Sequence, residues 1–253
     1  MQQTVFITGA TSGFGEACAI KFAENNYNVI ITGRRKDRLD GLSERLQLKY
    51  HIRALPLPFD VGNREAVQVS INSLPATWKH IDVLINNAGL AAGRDDFEEA
   101  SLDDWDTMID TNLKGLAYVT KAVLPLLIKA KKGHIINVSS TAGKEVYAQG
   151  NMYCATKHAV TALSESMRID LLKHNIKVTA IHPGAAATAF SNVRFKGDAE
   201  KAAKVYEGIN PLKAADVADI IYYCAGLPEH VCINDLVVTC TQQANSFYSF
   251  KSQ

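Results

Sequence analysis

Thr8-Gly9-Ala10-Thr11-Ser12-Gly13-Phe14-Gly15 follows the short apolar run Thr4-Val5-Phe6-Ile7 and leads into a helical stretch from Glu16 to Asn25. Glycines at a strand-to-helix turn let the backbone approach a pyrophosphate, whose charge is favoured by free N–H groups and by the positive end of the helix dipole. The spacing is G-x-x-x-G-x-G, not G-x-G-x-x-G, and a glycine-rich turn that binds no phosphate is the alternative reading of the motif by itself. Its position directly after the first strand favours the binding reading.

From this turn outward, short β-branched runs alternate with amphipathic helical stretches to the end of the chain. That alternation is the pattern of a parallel sheet with helices on both faces. Strands are expected near Val5 to Thr8, Asn28 to Thr32, Ala54 to Leu57, Val83 to Asn86, Ile135 to Val138, Lys177 to Ile181 and Leu236 to Thr239. Helical spacing links Leu39, Leu42 and Leu46, and again Trp105, Met108, Ile109, Leu113 and Leu116. The expected fold class is α/β, a Rossmann-type, doubly wound, parallel seven-stranded sheet. No repeat, low-complexity tract or linker interrupts residues 1–253, so a single domain is expected.

Composition narrows the function classes. With 27 Lys+Arg against 26 Asp+Glu there is no basic field to attract nucleic acid or anionic lipid. No apolar run approaches a membrane span, and the opening residues lack a signal-peptide profile, so a cytoplasmic location is expected. Five scattered cysteines without metal-type spacing read as reduced thiols, and no metal site is expected. Cys154, next to Tyr153, reads as a small packing residue.

Several further positions carry chemistry. The second strand ends at Gly33-Arg34-Arg35, where an NAD-preferring site would hold an acid against the ribose hydroxyls. Two guanidiniums there suit a 2′-phosphate, which favours NADP. Asp60-Val61 follows the third strand in position to border an adenine. Asn86-Asn87-Ala88-Gly89 follows the fourth, with small residues that leave room for a cofactor. Asn112 falls on an apolar helical stripe, where its amide must find partners and would, on the plainest reading, cap local backbone. Ser139-Ser140 closes a strand at the edge where open α/β sheets bind ligands. Tyr153, thirteen residues after Ser140, and Lys157 share one face of a helix. A lysine ammonium beside a phenol stabilises the phenolate, so the tyrosine pKa is expected to fall.

The ordered set T-G-x-x-x-G-x-G, N-N-A-G, Asn112, Ser140, Y-x-x-x-K and Pro183-Gly184 resembles the single-domain short-chain dehydrogenase/reductase superfamily along nearly the whole chain. The resemblance implies that Tyr153 is the acid/base, that Lys157 lowers its pKa and binds the nicotinamide ribose, and that Ser140 bonds the substrate oxygen. Asn112 would belong to a water-linked proton path. It implies cofactor contacts from Gly9, Thr11, Ser12, Gly13 and Phe14, from Arg34, Arg35, Asp60, Val61, Asn87, Ala88 and Gly89, and from Pro183, Gly184 and Thr188. A homotetramer is also implied, with the Asp104 to Ala130 and Met152 to His174 helices pairing across subunits. His182, before the Pro-Gly turn, has no catalytic reading.

Specificity is expected in the polar stretch at about 185–212. Its segment Ser191-Asn192-Val193-Arg194-Phe195-Lys196-Gly197-Asp198, with Gly-Phe-Gly and Gly-Arg-Arg, is similar to the NADP-dependent 3-hydroxy acid dehydrogenases, which act on serine and allo-threonine. Arg194 reads as a clamp for a substrate carboxylate, the alternative being a solvated loop arginine. Lys144-Glu145-Val146-Tyr147 and Ala185-Ala186-Ala187 depart from that subgroup. A broad carbonyl or sugar-alcohol reductase, including one for sulfoacetaldehyde, is the alternative, and a non-catalytic cofactor-binding regulator the third.

Overall fold

Val5, Phe6 and Ile7 are all fully buried, as a strand must be when helices cover both faces of its sheet. In the computed structural model, which describes residues 2–251, this run forms β1 (Thr4–Ile7). The other strands are β2 (Asn28–Gly33), β3 (Ala54–Pro58), β4 (Val83–Asn86), β5 (Gly133–Val138), β6 (Ile176–Pro183) and β7 (Asp235–Val238). All seven are parallel in the order β3-β2-β1-β4-β5-β6-β7, with Val5 opposite Val29 on one side and Val83 on the other. Each expected strand is present within two residues of its expected ends. Pro56 and Pro58 are tolerated because β3 is an edge.

Alternation sorts the strand side chains into two layers. Val5, Ile7, Val29, Ile31, Val83 and Ile85 meet α1 (Gly13–Glu24), α2 (Lys36–Tyr50) and the helix Ala214–Ala225. Phe6, Ile30, Leu84, Ile135 and Val178 meet α3 (Arg64–Asn72), α5 (Leu116–Ala130) and α6 (Asn151–Leu171). The chain order reverses between β1 and β4, so a crevice opens at their C-terminal ends.

One element differs from the expected continuous helix. Between α4 (Leu102–Met108) and α5, residues Ile109–Gly115 form a π-helical turn. Its wider winding sets Asn112 inward, and such turns gather at functional sites. Gly115 ends it pressed against Val61, whose Cγ2 would lie 2.7 Å from any added Cβ.

The polar stretch after β6 folds back over the crevice. Ala186–Ala187 pairs in parallel with Leu212–Lys213, and the short helices Phe190–Arg194 and Ala199–Lys204 lie between them. Tyr206 fastens it, donating to the Ala186 carbonyl at 2.7 Å and sharing a 2.6 Å bond with Ser191.

Candidate active site

The phosphate turn is built by close approach. Gly9 (φ +68°) lies where a Cβ would come within 2.9 Å of the Ala88 backbone, and Gly15 where one would strike the Gly9 carbonyl and the Asn87 amide. Asn87 locks that arrangement, donating from Nδ2 to the Thr8 carbonyl at 2.9 Å and the Gly9 carbonyl at 3.2 Å. The Thr8 hydroxyl accepts from the Asn87 and Ala88 N–H groups. Asn87 therefore serves first as the brace between β4 and the turn. Gly13 (φ +59°) faces Thr188 across the crevice.

Arg35 bends over the same turn and donates to Thr11 Oγ1 at 2.7 Å. Arg34 is exposed beside it and lies 3.9 Å from Asp60, a pair too long and solvated to neutralise the guanidinium. Asp60 mainly orders its own turn by accepting from the Gly62 N–H at 2.9 Å. The end of β2 thus presents two cations and no acid of its own. This donor set, with the glycine cradle, fits a dinucleotide that carries a 2′-phosphate.

A cavity of about 400 Å³ runs from this turn to the far wall. Gly9, Thr11, Ser12, Gly13, Phe14, Arg34, Arg35, Asp60, Val61, Asn87, Ala88 and Gly89 line one end; Ser140, Tyr153, Lys157, Pro183, Gly184, Thr188 and Arg194 line the other. Of the residues expected at the site, only Asn112 is outside this lining. It is buried, exchanging hydrogen bonds of 2.8 Å with both backbone groups of Leu90 and donating to Thr156 at 3.1 Å. A side chain on Gly89 would fill the gap between Asn112 Oδ1 and Lys157 Nζ.

The two neighbouring serines are separated by their partners. Ser139 is buried and donates to the Lys157 carbonyl at 3.1 Å. Ser140 accepts from the Ala142 N–H at 3.1 Å, donates to the Pro183 carbonyl at 3.5 Å and lines the cavity together with Tyr153. Its own carbonyl is held at 3.1 Å by Nδ1 of fully buried His182, whose Nε2 meets Asp235 at 3.0 Å. His182 is therefore a brace behind Ser140.

The expected direction of the Tyr153 pKa is corrected. Burial raises it above the ordinary value of 10.0, Tyr147 adds to the rise, and the Ser140 hydroxyl and Arg194 charge oppose it. The Lys157 ammonium, which donates to the Val138 carbonyl at 3.0 Å and stands 5.9 Å from the Tyr153 ring centre, does not offset that burial. Lys157 is itself buried, which pushes its pKa down to about 8.

Three residues of this wall were not singled out in the sequence. Tyr147 lies under the Arg194 guanidinium, 5.6 Å from its carbon to the ring centre; the Phe190 ring is tilted against Tyr153, with centres 5.6 Å apart; Ser246 lines the cavity from the C-terminal segment. Only the departure of Lys144 to Tyr147 from the expected pattern pointed near any of them. Arg194 is not a solvated loop arginine, since its Nε is out of solvent and without a protein partner. Cys154 is fully buried in the small cluster around Tyr153.

A parallel sheet whose crevice joins a phosphate turn to a buried tyrosine, lysine and serine defines a dinucleotide-dependent oxidoreductase. The chain belongs to the short chain dehydrogenase family, which it matches over residues 3–199. It is 50% identical to the NADP-dependent 3-hydroxy acid dehydrogenase YdfG of Salmonella typhi over 231 residues, 91% of this chain and 92% of that protein. It is 41% identical to the serine 3-dehydrogenase of Agrobacterium fabrum over 251 residues, 99% and 98% of the two chains. The closed form of serine dehydrogenase complexed with NADP+ superposes with a TM-score of 0.92 at 44% identity, covering 99% of this chain and all of that one.

Proposed function

We propose that the protein is an NADP-dependent dehydrogenase of short 3-hydroxy acids, of the serine, allo-threonine or 3-hydroxypropionate type, acting as one domain over residues 1–253. The observation that carries the substrate class is Arg194: a partly buried guanidinium, with a free Nε, on the wall that holds Tyr153 and Ser140. A guanidinium fork suits a carboxylate and sets the hydroxyl carbon at a fixed distance from it.

Bound NADP supplies the hydride acceptor. Arg34 and Arg35 hold its 2′-phosphate, and the N–H groups after Gly9 hold the pyrophosphate. Ser140 bonds the substrate oxygen, and Tyr153 takes the hydroxyl proton in oxidation or returns it in reduction. Lys157 supplies a cation that favours the phenolate as the proton leaves. Asn112 is a positioning residue, fixing the Leu90 loop segment after β4 so that a water-linked proton path has a wall. The 185–212 stretch closes the substrate end.

Ile169 and Leu172, exposed at the end of α6, support a homotetramer built on the helical runs 104–130 and 152–174. Light scattering after chromatography tests it, and a monomer at micromolar concentration would contradict it. A cytoplasmic location rests on the five unpaired cysteines. Among the described residues, no helix is long and apolar enough to cross a membrane.

The test of the catalytic reading is Tyr153→Phe. Turnover should drop by at least about a thousandfold while NADPH still binds; unchanged turnover would leave a different group, or none, handling the proton.

A further inference from the structure

One carboxylate, that of Asp235, holds both ends of the loop that carries Ser140. After β5 the chain turns through Thr141–Gly143, and the Gly143 N–H donates back to the Ser140 carbonyl at 2.8 Å. That carbonyl also faces His182 Nδ1 at 3.1 Å, and His182 Nε2 meets Asp235 Oδ2 at 3.0 Å. One residue past the turn, Lys144 donates to the same Asp235 oxygen at 2.7 Å. We propose that Asp235 is a positioning residue of the reaction, acting through His182 and Lys144 to hold Ser140 where its hydroxyl meets the substrate oxygen. This rests on the proposed role of Ser140 and adds to it a residue outside the cavity lining.

The sheet brings these groups together. Asp235 opens β7 opposite Ala180, and His182 lies opposite Val237, so Asp235 and His182 are diagonal neighbours across the β6–β7 pair. The His182 side chain is fully buried, whereas those of Asp235 and Lys144 keep 33% and 34% of their surface exposed. A line of bonds thus runs from the surface of the edge strand to the backbone of Ser140.

The chemistry of the ring explains why a carboxylate stands there. A peptide carbonyl and a carboxylate only accept, so His182 satisfies both at once with a hydrogen on each nitrogen. Burial lowers the His182 pKa and works against the second hydrogen, as does the Lys144 charge; Asp235 and the Ser140 carbonyl work for it. Without Asp235 the neutral ring has one hydrogen and nothing to fix its orientation, and Lys144 loses its anchor. An asparagine would serve in part, since its amide can give a hydrogen to Nε2, leaving the ring hydrogen on Nδ1 for Ser140, while its oxygen accepts from Lys144.

The experiment is a double-mutant cycle: steady-state oxidation of 3-hydroxypropionate with NADP by wild type, Asp235→Ala, Ser140→Ala and the double variant, with Asp235→Asn beside them. Asp235→Ala should lower kcat about tenfold while NADPH affinity in fluorescence titrations stays the same. In the Ser140→Ala background the same change should cost less than about twofold, because the hydroxyl it positions is gone. Asp235→Asn should recover most of kcat. Lys144→Met, at the exposed end of the same line of bonds, should lose less than Asp235→Ala and show the same dependence on Ser140. Equal losses in both backgrounds, or no loss in either, would overturn the role of Asp235 and leave that of Ser140 intact. Wild-type turnover in Ser140→Ala would overturn the role of Ser140 itself, and the proposal with it.

Discussion

The Arg194 guanidinium carbon stands 5.5 Å from the centre of the Tyr153 ring. The cation proposed to bind the acid and the phenol proposed to move the proton therefore share one wall, with Tyr147 beneath the same guanidinium. A substrate held by Arg194 presents its hydroxyl carbon at a distance fixed by the carbon chain between them. Charge and chain length are read together.

Removing Arg194 should accordingly act on acids. A hydrogen bond to a charged group contributes about 1.5–3 kcal/mol, so Arg194→Ala should raise KM for 3-hydroxypropionate about 10- to 100-fold. KM for 1,3-propanediol should move far less. Arg194→Lys should recover only part, because an ammonium lacks the planar fork. Equal effects on acid and diol would sink the clamp.

Cofactor choice should follow Arg34 and Arg35. The double variant Arg34→Ala/Arg35→Ala loses both guanidiniums of a 2′-phosphate site, one of them pinned by Thr11. In fluorescence titrations NADPH should weaken by about a hundredfold and NADH by far less. An unchanged preference between the two would remove the argument from these residues.

Carbonyl reduction should have an alkaline limb set by Lys157. Its ammonium is charged below about 8 and neutral above. If that charge assists Tyr153, kcat/KM falls as pH rises through about 8. Lys157→Met should react slowly and without that limb. The stability sign is opposite: the unfolded chain keeps this proton up to the ordinary 10.5, so between about 8 and 10.5 the Lys157 contribution to stability grows with pH. A wild-type limb retained in Lys157→Met would assign it to another group.

His134 should limit acid stability. Thr179 donates its hydroxyl hydrogen to the Ile233 carbonyl at 2.7 Å, so its oxygen must accept from His134 Nε2 at 2.7 Å. Nδ1 is then buried with a lone pair and no donor, which is the neutral imidazole. Burial pushes the His134 pKa from 6.5 down to about 3. The unfolded chain binds the proton first, so stability is lost as pH falls from 6.5 toward 3, by several kcal/mol in all, on the order of 1.4 kcal/mol for each pH unit crossed. His134→Gln should flatten that limb in urea titrations; an equally steep acid limb would show that other groups carry it.

Much of the fold could be read from local pattern. β1, β2 and β4 to β6 are largely apolar runs buried on both faces, and their chemistry does not depend on what covers them. The glycine turn was legible because close approach and positive φ leave few other residues at Gly9 and Gly13. The π turn at Asn112 was not, since an amide on an apolar stripe gives no sign of the extra residue in its winding. Tyr147 reaches Arg194 and Phe190 reaches Tyr153 from separate segments, and only tertiary folding brings them together. The direction of the Tyr153 pKa was misread for a related reason. The i,i+4 spacing with Lys157 is local, but the burial that outweighs it, and the Val138 carbonyl that holds the ammonium, belong to the folded core.

The most direct measurement is of initial rates with NADP and with NAD across serine, allo-threonine, 3-hydroxybutyrate and 3-hydroxypropionate, beside neutral alcohols of matching size. The account predicts oxidation that requires NADP and favours the acids at least about tenfold over the neutral alcohols in kcat/KM. Rates indifferent to the carboxylate would contradict it and make the protein a general carbonyl reductase.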